Sequence, residues 1–175
     1  AYRPSKHSLS QSQILLRNYT ADEARLPMRE MVESLVLELL QIKAVTKCIH
    51  VHIGYAAEDL KSTGGSRTLA HYTDSFQELC PAVLALFDKN KRPHELIRRI
   101  AVSFEDLVNK AAVPTEMDLF SNALTDIAEQ EEHIQKTMLN IKGRFGKNAI
   151  LRASSLQEEG TMQFRNTLVG GHNGE

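Results

Sequence analysis

The chain has 175 residues, 42% of them apolar and 25% charged, which suffices for one domain with a real core plus an appendage. The net charge of −1 supplies no overall field that would demand a nucleic acid, so any basic footprint must be local. Two cysteines, Cys48 and Cys80, cannot build a disulfide framework and fit a reducing cytoplasm; no apolar run approaches the roughly 18 residues of a membrane span, and no signal-peptide pattern opens the chain.

The chain begins Ala1-Tyr2-Arg3-Pro4, with no initiator methionine, and reads as a part cut from something longer. Ser8 to about Arg17 is predicted as a strand whose first half is exposed. Lys6, His7, Ser8, Ser10 and Ser12 are short or polar enough to donate hydrogen bonds to phosphate oxygens, although a solvated edge strand reads the same way. Thr20-x-x-Glu23 is a capping box and predicts a helix from about Ala21 to Lys43. Met31, Leu35, Leu39 and Ile42 form its apolar stripe, and Pro27 is tolerable only near the first turn.

Cys48 to Tyr55 alternates cleanly. Ile49, Val51, Ile53 and Tyr55 share one face, and Cys48, His50, His52 and Gly54 the other. A cysteine and two histidines on one face raise the question of zinc. Alternate strand residues stand about 6.6 Å apart, so the three cannot converge on one ion, and half-exposed polar sheet residues are the better account.

Glu58 to Gly65 is a loop, and its two glycines are not a phosphate-binding loop because no helix follows. Ser66 to Tyr72 is a third strand carrying Arg67, with accessible backbone amides at its entry. Asp74 or Thr73 caps a second helix, with Phe76, Leu79, Val83, Leu86 and Phe87 buried and an end near Asn90. In Ile97 to Phe104, Ile100, Val102 and Phe104 alternate with Arg99, Ala101 and Ser103, so one face is apolar and the other open. That open face suits something large and anionic better than a small ligand, though plain solvation gives the same pattern.

The element order β-α-β-β-α-β predicts an α+β domain over residues 1–110: a split four-stranded antiparallel sheet with two helices on one face. Residues 111–120 read as a linker. Its Glu116-Met117-Asp118-Leu119-Phe120 either packs back on the domain or plugs into a partner's groove. Residues 121–175 read as a helical extension. Ser121 caps a long helix with Leu124, Ile127, Ile134, Met138, Ile141 and Phe145 on one stripe, Glu129, Glu131 and Glu132 on a solvated face, and a stop at Gly146. From Gly160 onward the chain reads as a poorly structured tail. Residues 1–110 hold 15 Lys and Arg against 13 Asp and Glu, and residues 111–175 hold 6 against 9, so the basic character lies in the sheet domain.

Several stretches then carry a resemblance. Arg3-Pro4 with Lys6 through Gln13, Arg98 through Ser103, Arg144 through Arg152, and Gly170-Gly171-His172 resemble, in order, the C-terminal part of a Y-family translesion DNA polymerase of the ImpB/MucB/SamB branch. The resemblance implies that residues 1–110 are a little-finger domain laying its open sheet face along the primer–template duplex. By position it makes Lys6, His7, Ser8, Ser10, Ser12, Arg67, Arg98 and Arg99 sequence-independent backbone contacts. It implies that Glu116, Met117, Asp118, Leu119 and Phe120 form a peptide for the replicative sliding clamp, with Glu116 where the family usually has glutamine. It also implies a cytoplasmic role in SOS damage tolerance, and catalysis by Mg2+ ions held in a palm domain that this stretch lacks, alongside fingers and thumb. On that reading the segment itself holds no catalytic or metal-binding residue. Two other readings remain at this point: a protein-interaction α+β module without DNA, and a ligand domain using Cys48, His50 and His52.

Overall fold

The computed structural model describes residues 8–114, 122–169 and 172–173. Four long strands, β1 (Ser8–Tyr19), β2 (Ala44–Tyr55), β3 (Thr63–Thr73) and β4 (Ile97–Glu105), form an antiparallel sheet in the order β1-β4-β2-β3. Helices α1 (Ala21–Ile42) and α2 (Phe76–Asn90) cover one face. The α+β class and the split β-α-β-β-α-β order therefore hold, with one addition: β5 (Val108–Asn109) pairs with the first residues of β2 and makes a fifth, two-residue strand.

The core follows from the alternation. Ile49, Val51, Ile53, Ile100, Val102 and Phe104 are wholly buried against Met28, Met31, Leu35 and Leu39 of α1 and Leu79, Val83 and Phe87 of α2. Ile42, expected in the α1 stripe, is 40% exposed because it ends the helix. The capping box forms as read: the Thr20 amide donates to Glu23 Oε2 at 2.7 Å and the Glu23 amide to Thr20 Oγ1 at 3.3 Å. Pro27 lies inside the helix beyond its first turn, buried.

Three local readings are corrected. The α2 cap is Ser75, whose Oγ accepts from the Glu78 amide, not Asp74 or Thr73. Thr73 is still the last residue of β3, and Asp74 is engaged by Lys110 Nζ at 2.8 Å. Glu131 is half-buried and engaged: its carboxylate accepts from Ser75 Oγ at 2.6 Å and from the Gln77 amide at 3.1 Å, so α3 (Asn122–Phe145) is tied to the start of α2. Finally, the stretch after Gly160 is packed. Thr161 and Met162 are buried at the start of α4 (Met162–Arg165), and Glu30 Oε2 accepts from both their amides at 2.8 and 2.9 Å and from Thr161 Oγ1 at 3.1 Å. Arg152 Nε donates to the nearly buried Glu33 Oε2 at 2.6 Å. The extension thus seats on α1, on the helix side of the sheet. Burial there pushes the Arg165 and Lys142 pKa values down.

The apolar stripe of α3 is only partly used. Met138 is buried, whereas Ile127, Ile134 and Phe145 are 49%, 56% and 70% exposed. A two-stranded hairpin, β6 (Leu168–Val169) and β7 (His172–Asn173), closes the described chain.

Candidate nucleic-acid interface

The face of the sheet away from the helices is uncovered by any described element. Its residues follow from register. Ser10 of β1 lies opposite Ser103 of β4, which lies opposite His50 of β2, which lies opposite Ser66 of β3. The next row is Ser12, Ala101, His52 and Gly64, and the row before is Ser8, Glu105, Cys48 and Thr68. At the far end Ile14 faces Arg99, which faces Gly54. Apart from the two histidines, the central rows hold only serine, alanine and glycine, so the surface is flat and a long rigid object can approach it closely.

Arg99 reaches this face through a β-bulge. Ile97 and Ile100 are both buried although they stand three positions apart, and strict alternation allows no such pair. Pairing with β2 shifts between Gly54 and Tyr55, so Arg98 and Arg99 together take up the extra residue and neither enters the core. Arg98 is half-buried and Arg99 exposed. A Cβ on Gly54 would stand 3.1 Å from the Arg99 Cβ, so the glycine leaves the space in which the arginine starts.

Several of the other cations are held in ion pairs. Arg17 donates to Glu23, and that bond, ahead of the one from the Thr20 amide, holds the Glu23 carboxyl down at about 2. Arg25 and Lys91 both engage Asp88; burial pushes that carboxyl up, but the two cations outweigh it and leave it below its ordinary value. Lys110 bridges Asp74 and Glu132, Lys136 pairs with Glu132, and Arg152 with Glu33. Arg98 and Arg99 have no acidic partner among the described residues, so their charge is available to a ligand.

Ser8, Ser10, Ser12 and Arg99 fall on the open face as expected. Arg67 does not. It lies opposite Ile49, which is fully buried beneath the helices, and a Cβ on its neighbour-but-one Gly65 would meet the Asn90 side chain of α2 at 3.0 Å. Arg67 therefore leaves the edge strand on the helix side, because period-two alternation gives residues 65 and 67 the same face. Lys6 and His7, and the whole of Glu116, Met117, Asp118, Leu119 and Phe120, lie outside the described residues. Reading strands singly had not shown that His50 and His52 occupy the centre of the face. The signal was present in their parity with Gly54, but only the strand order places Ser103 and Ser66 on either side of His50.

Cys48, His50 and His52 do share a face, yet no group of three or more His, Cys, Asp or Glu side chains among the described residues could hold a metal ion. Two clefts of about 520 Å3 each lie on the helix side, one lined by Lys43, Lys110 and Glu132 and the other by Arg25, Phe76 and Cys80. Neither opens on the flat face.

Residues 6–119 match the impB/mucB/samB family C-terminal domain. A Bacillus subtilis (strain 168) protein, UvrX, named for UV-damage repair, is 30% identical over 172 residues, covering 94% of this chain and 38% of its own. A DNA polymerase IV of Bacillus velezensis is 31% identical over 127 residues, 71% of this chain and 29% of that one. Among solved structures, the complex of beta-clamp processivity factor and little finger domain of PolIV gives a match at 12% identity and a TM-score of 0.47, covering 65% of this chain and 99% of that one. The chain spans 38% and 29% of the lengths of these two curated relatives.

Proposed function

The chain belongs to the impB/mucB/samB family C-terminal domain, and on that premise we propose that it is the DNA-gripping little finger and C-terminal extension of a translesion DNA polymerase acting in damage tolerance. The single observation that carries the reading is the flat open face ending in Arg98 and Arg99, two arginines with no acidic partner among the described residues. Such a surface suits a duplex backbone, and contacts to phosphate position DNA without reading its sequence. An enzyme that must accept damaged templates needs that indifference.

Lys6, His7, Ser8, Ser10, Ser12, Arg98 and Arg99 are the proposed phosphate contacts. Arg67 can join them only where a strand of DNA wraps past the β3 edge. Residues 1–110 form the gripping domain, 111–120 the linker with a sliding-clamp peptide at Glu116 to Phe120, and 121–175 the extension. The clamp reading rests on the sequence of that peptide, in which Leu119 and Phe120 are the apolar anchors. Nucleotidyl transfer belongs to palm carboxylates holding Mg2+ outside this segment. No described helix is long and apolar enough to cross a membrane, and the proposed place of work is the cytoplasm.

A second reading has one observation in its favour. Ile14 and Leu16 on the edge strand β1 are 57% and 51% exposed beside Arg99, as in a surface that pairs with protein and not DNA. Fluorescence anisotropy with a labelled primer–template duplex across a salt series decides between them. Binding that weakens steeply with salt and is lost in Arg98→Glu/Arg99→Glu supports gripping; binding unchanged by the double substitution, or absent at low salt, removes it.

A further inference from the structure

We propose that His50 and His52 are the central phosphate contacts of the open face and make its grip on DNA tighten as pH falls, an inference that rests on the DNA-gripping reading above. The two rings stand on alternate residues of β2, about 6.6 Å apart, pointing the same way. Every residue directly opposite them is small: Ser103 and Ala101 on β4, Ser66 and Gly64 on β3. They are therefore the tallest groups in the middle of a face that is otherwise level, and the first that a cylinder lying across the four strands would touch.

Neither ring has a hydrogen-bond or ion-pair partner among the described residues, and both are half-exposed. By contrast His71, the other histidine of the sheet, is engaged by Glu78 at 2.7 Å. A histidine left without a partner on a ligand-facing surface keeps both ring nitrogens for the ligand. Neutral, the ring donates one hydrogen bond to a phosphate oxygen; protonated, it donates two and adds a positive charge.

The charged and titratable groups around the pair are few. Arg99 lies one row beyond His52 on β4, and Glu105 one row beyond His50 on the same strand, with Cys48 next to His50 on β2. On this face the paired residues of β1 and β3 carry no charge, and no described element covers it. Arg99 and Glu105 sit at opposite ends, so the face has a permanently cationic end, a titratable centre and an anionic end. Bound phosphate favours the protonated rings, which extends the cationic stretch from Arg99 to His50.

The test is anisotropy with a labelled primer–template duplex at about pH 6 and about pH 8, a window in which imidazole changes charge, on the wild-type chain, His50→Gln/His52→Gln and Arg99→Glu. Wild type is expected to bind roughly 5- to 10-fold tighter at the lower pH, with a log–log salt slope steeper by about 0.9 for each ring engaged. The double glutamine variant keeps a donor at each position, and its affinity should be nearly independent of pH. His50→Gln and His52→Gln, each made alone, should lie between the two, which keeps the test informative if the double variant folds poorly. Wild-type binding that is Arg99-dependent yet equal at both pH values would overturn this inference and leave DNA gripping standing. The same follows if the pH dependence survives in the double variant, which would assign it to another group such as His7. No binding by wild type at either pH would overturn both.

Discussion

Gly54 and Arg99 are direct cross-strand partners on β2 and β4, and a side chain on Gly54 would begin 3.1 Å from the Arg99 Cβ. That approach is tighter than ordinary contact, and the atom it meets belongs to the stem of the arginine, which cannot swing away without moving the strand. Gly54→Val is therefore expected to cost about 1–2 kcal/mol from crowding despite valine's preference for strands. It should also weaken duplex binding by roughly 3- to 10-fold, since Arg99 is pushed from its starting direction. Urea melts and anisotropy on the same preparation check both. A variant as stable as wild type with unchanged affinity would show that the space around Gly54 is not what positions Arg99.

The two faces of the sheet make a sharper comparison. Arg67 and Arg99 are both exposed arginines on strands, and counting charge alone makes them equivalent. Register does not, since Arg67 lies opposite buried Ile49 and Arg99 opposite Gly54. Arg99→Glu should reduce duplex affinity at least about 10-fold and flatten the salt slope by about 1, whereas Arg67→Glu should change it less than about 3-fold. Equal losses would mean that DNA wraps the β3 edge.

Much of this is legible in the sequence. Ile49, Val51 and Ile53, or Ile100, Val102 and Phe104, can belong to nothing but half-covered strands, and Thr20 with Glu23 marks the helix start in four residues. What escaped depended on partners distant in sequence. The face of Arg67 was undetermined because Gly64-Gly65-Ser66 has no apolar alternation to set the parity, and only pairing with β2 supplies it. The Ser75 cap was missed because Thr73 and Asp74 are equally good caps locally; the ladder holds one and Lys110 the other. The packing of Thr161 was invisible from the tail, which is polar and short. The signal lay in α1, where Glu30 and Glu33 sit among Met28, Met31 and Val32: carboxylates on a buried stripe need donors from somewhere.

The proposed clamp peptide is testable apart from the sheet. Leu119→Ala/Phe120→Ala removes both large apolar anchors and should weaken binding to the sliding clamp at least about 10-fold, leaving duplex affinity unchanged. Glu116→Gln, toward the residue the family usually carries there, should strengthen it. Surface plasmon resonance on immobilised clamp reads both. Clamp binding indifferent to the double alanine would remove the peptide from consideration.

The Arg17–Glu23 pair predicts an acid-sensitive helix start. The hydrogen bond from Arg17, then that from the Thr20 amide, lowers the Glu23 carboxyl from 4.5 to about 2 in the folded chain. Between those values the unfolded chain holds more protons, so the contribution is complete above about pH 4.5 and lost as pH falls toward 2. Solvent reaches both side chains and screens the pair, so the effect is small. Glu23→Gln should melt about 2 °C lower than wild type near neutrality and match it near pH 2. A gap that persists at low pH would mean that the carboxylate charge contributes nothing.

The docking of the extension turns on one oxygen. Glu30 Oε2 accepts from the Thr161 amide, the Met162 amide and Thr161 Oγ1, while its other oxygen is buried with no partner among the described residues. Removing the acceptor orphans two buried amides, at about 1–3 kcal/mol each, which exceeds what one four-residue helix gains by packing. Glu30→Ala should therefore release the segment around α4: hydrogen exchange at Thr161 and Met162 should accelerate at least about 10-fold, while Val102 in β4 stays protected. Glu30→Gln keeps an oxygen for both amides and removes the buried charge, so its protection should match wild type within a few-fold. If alanine leaves Thr161 protected, the contact with α1 is held by Arg152 on Glu33 instead, and Glu33→Ala becomes the substitution that frees it. If glutamine releases the segment as fully as alanine, the negative charge itself is what holds it, through Arg165, whose pKa burial lowers and the Glu30 and Glu33 carboxylates raise.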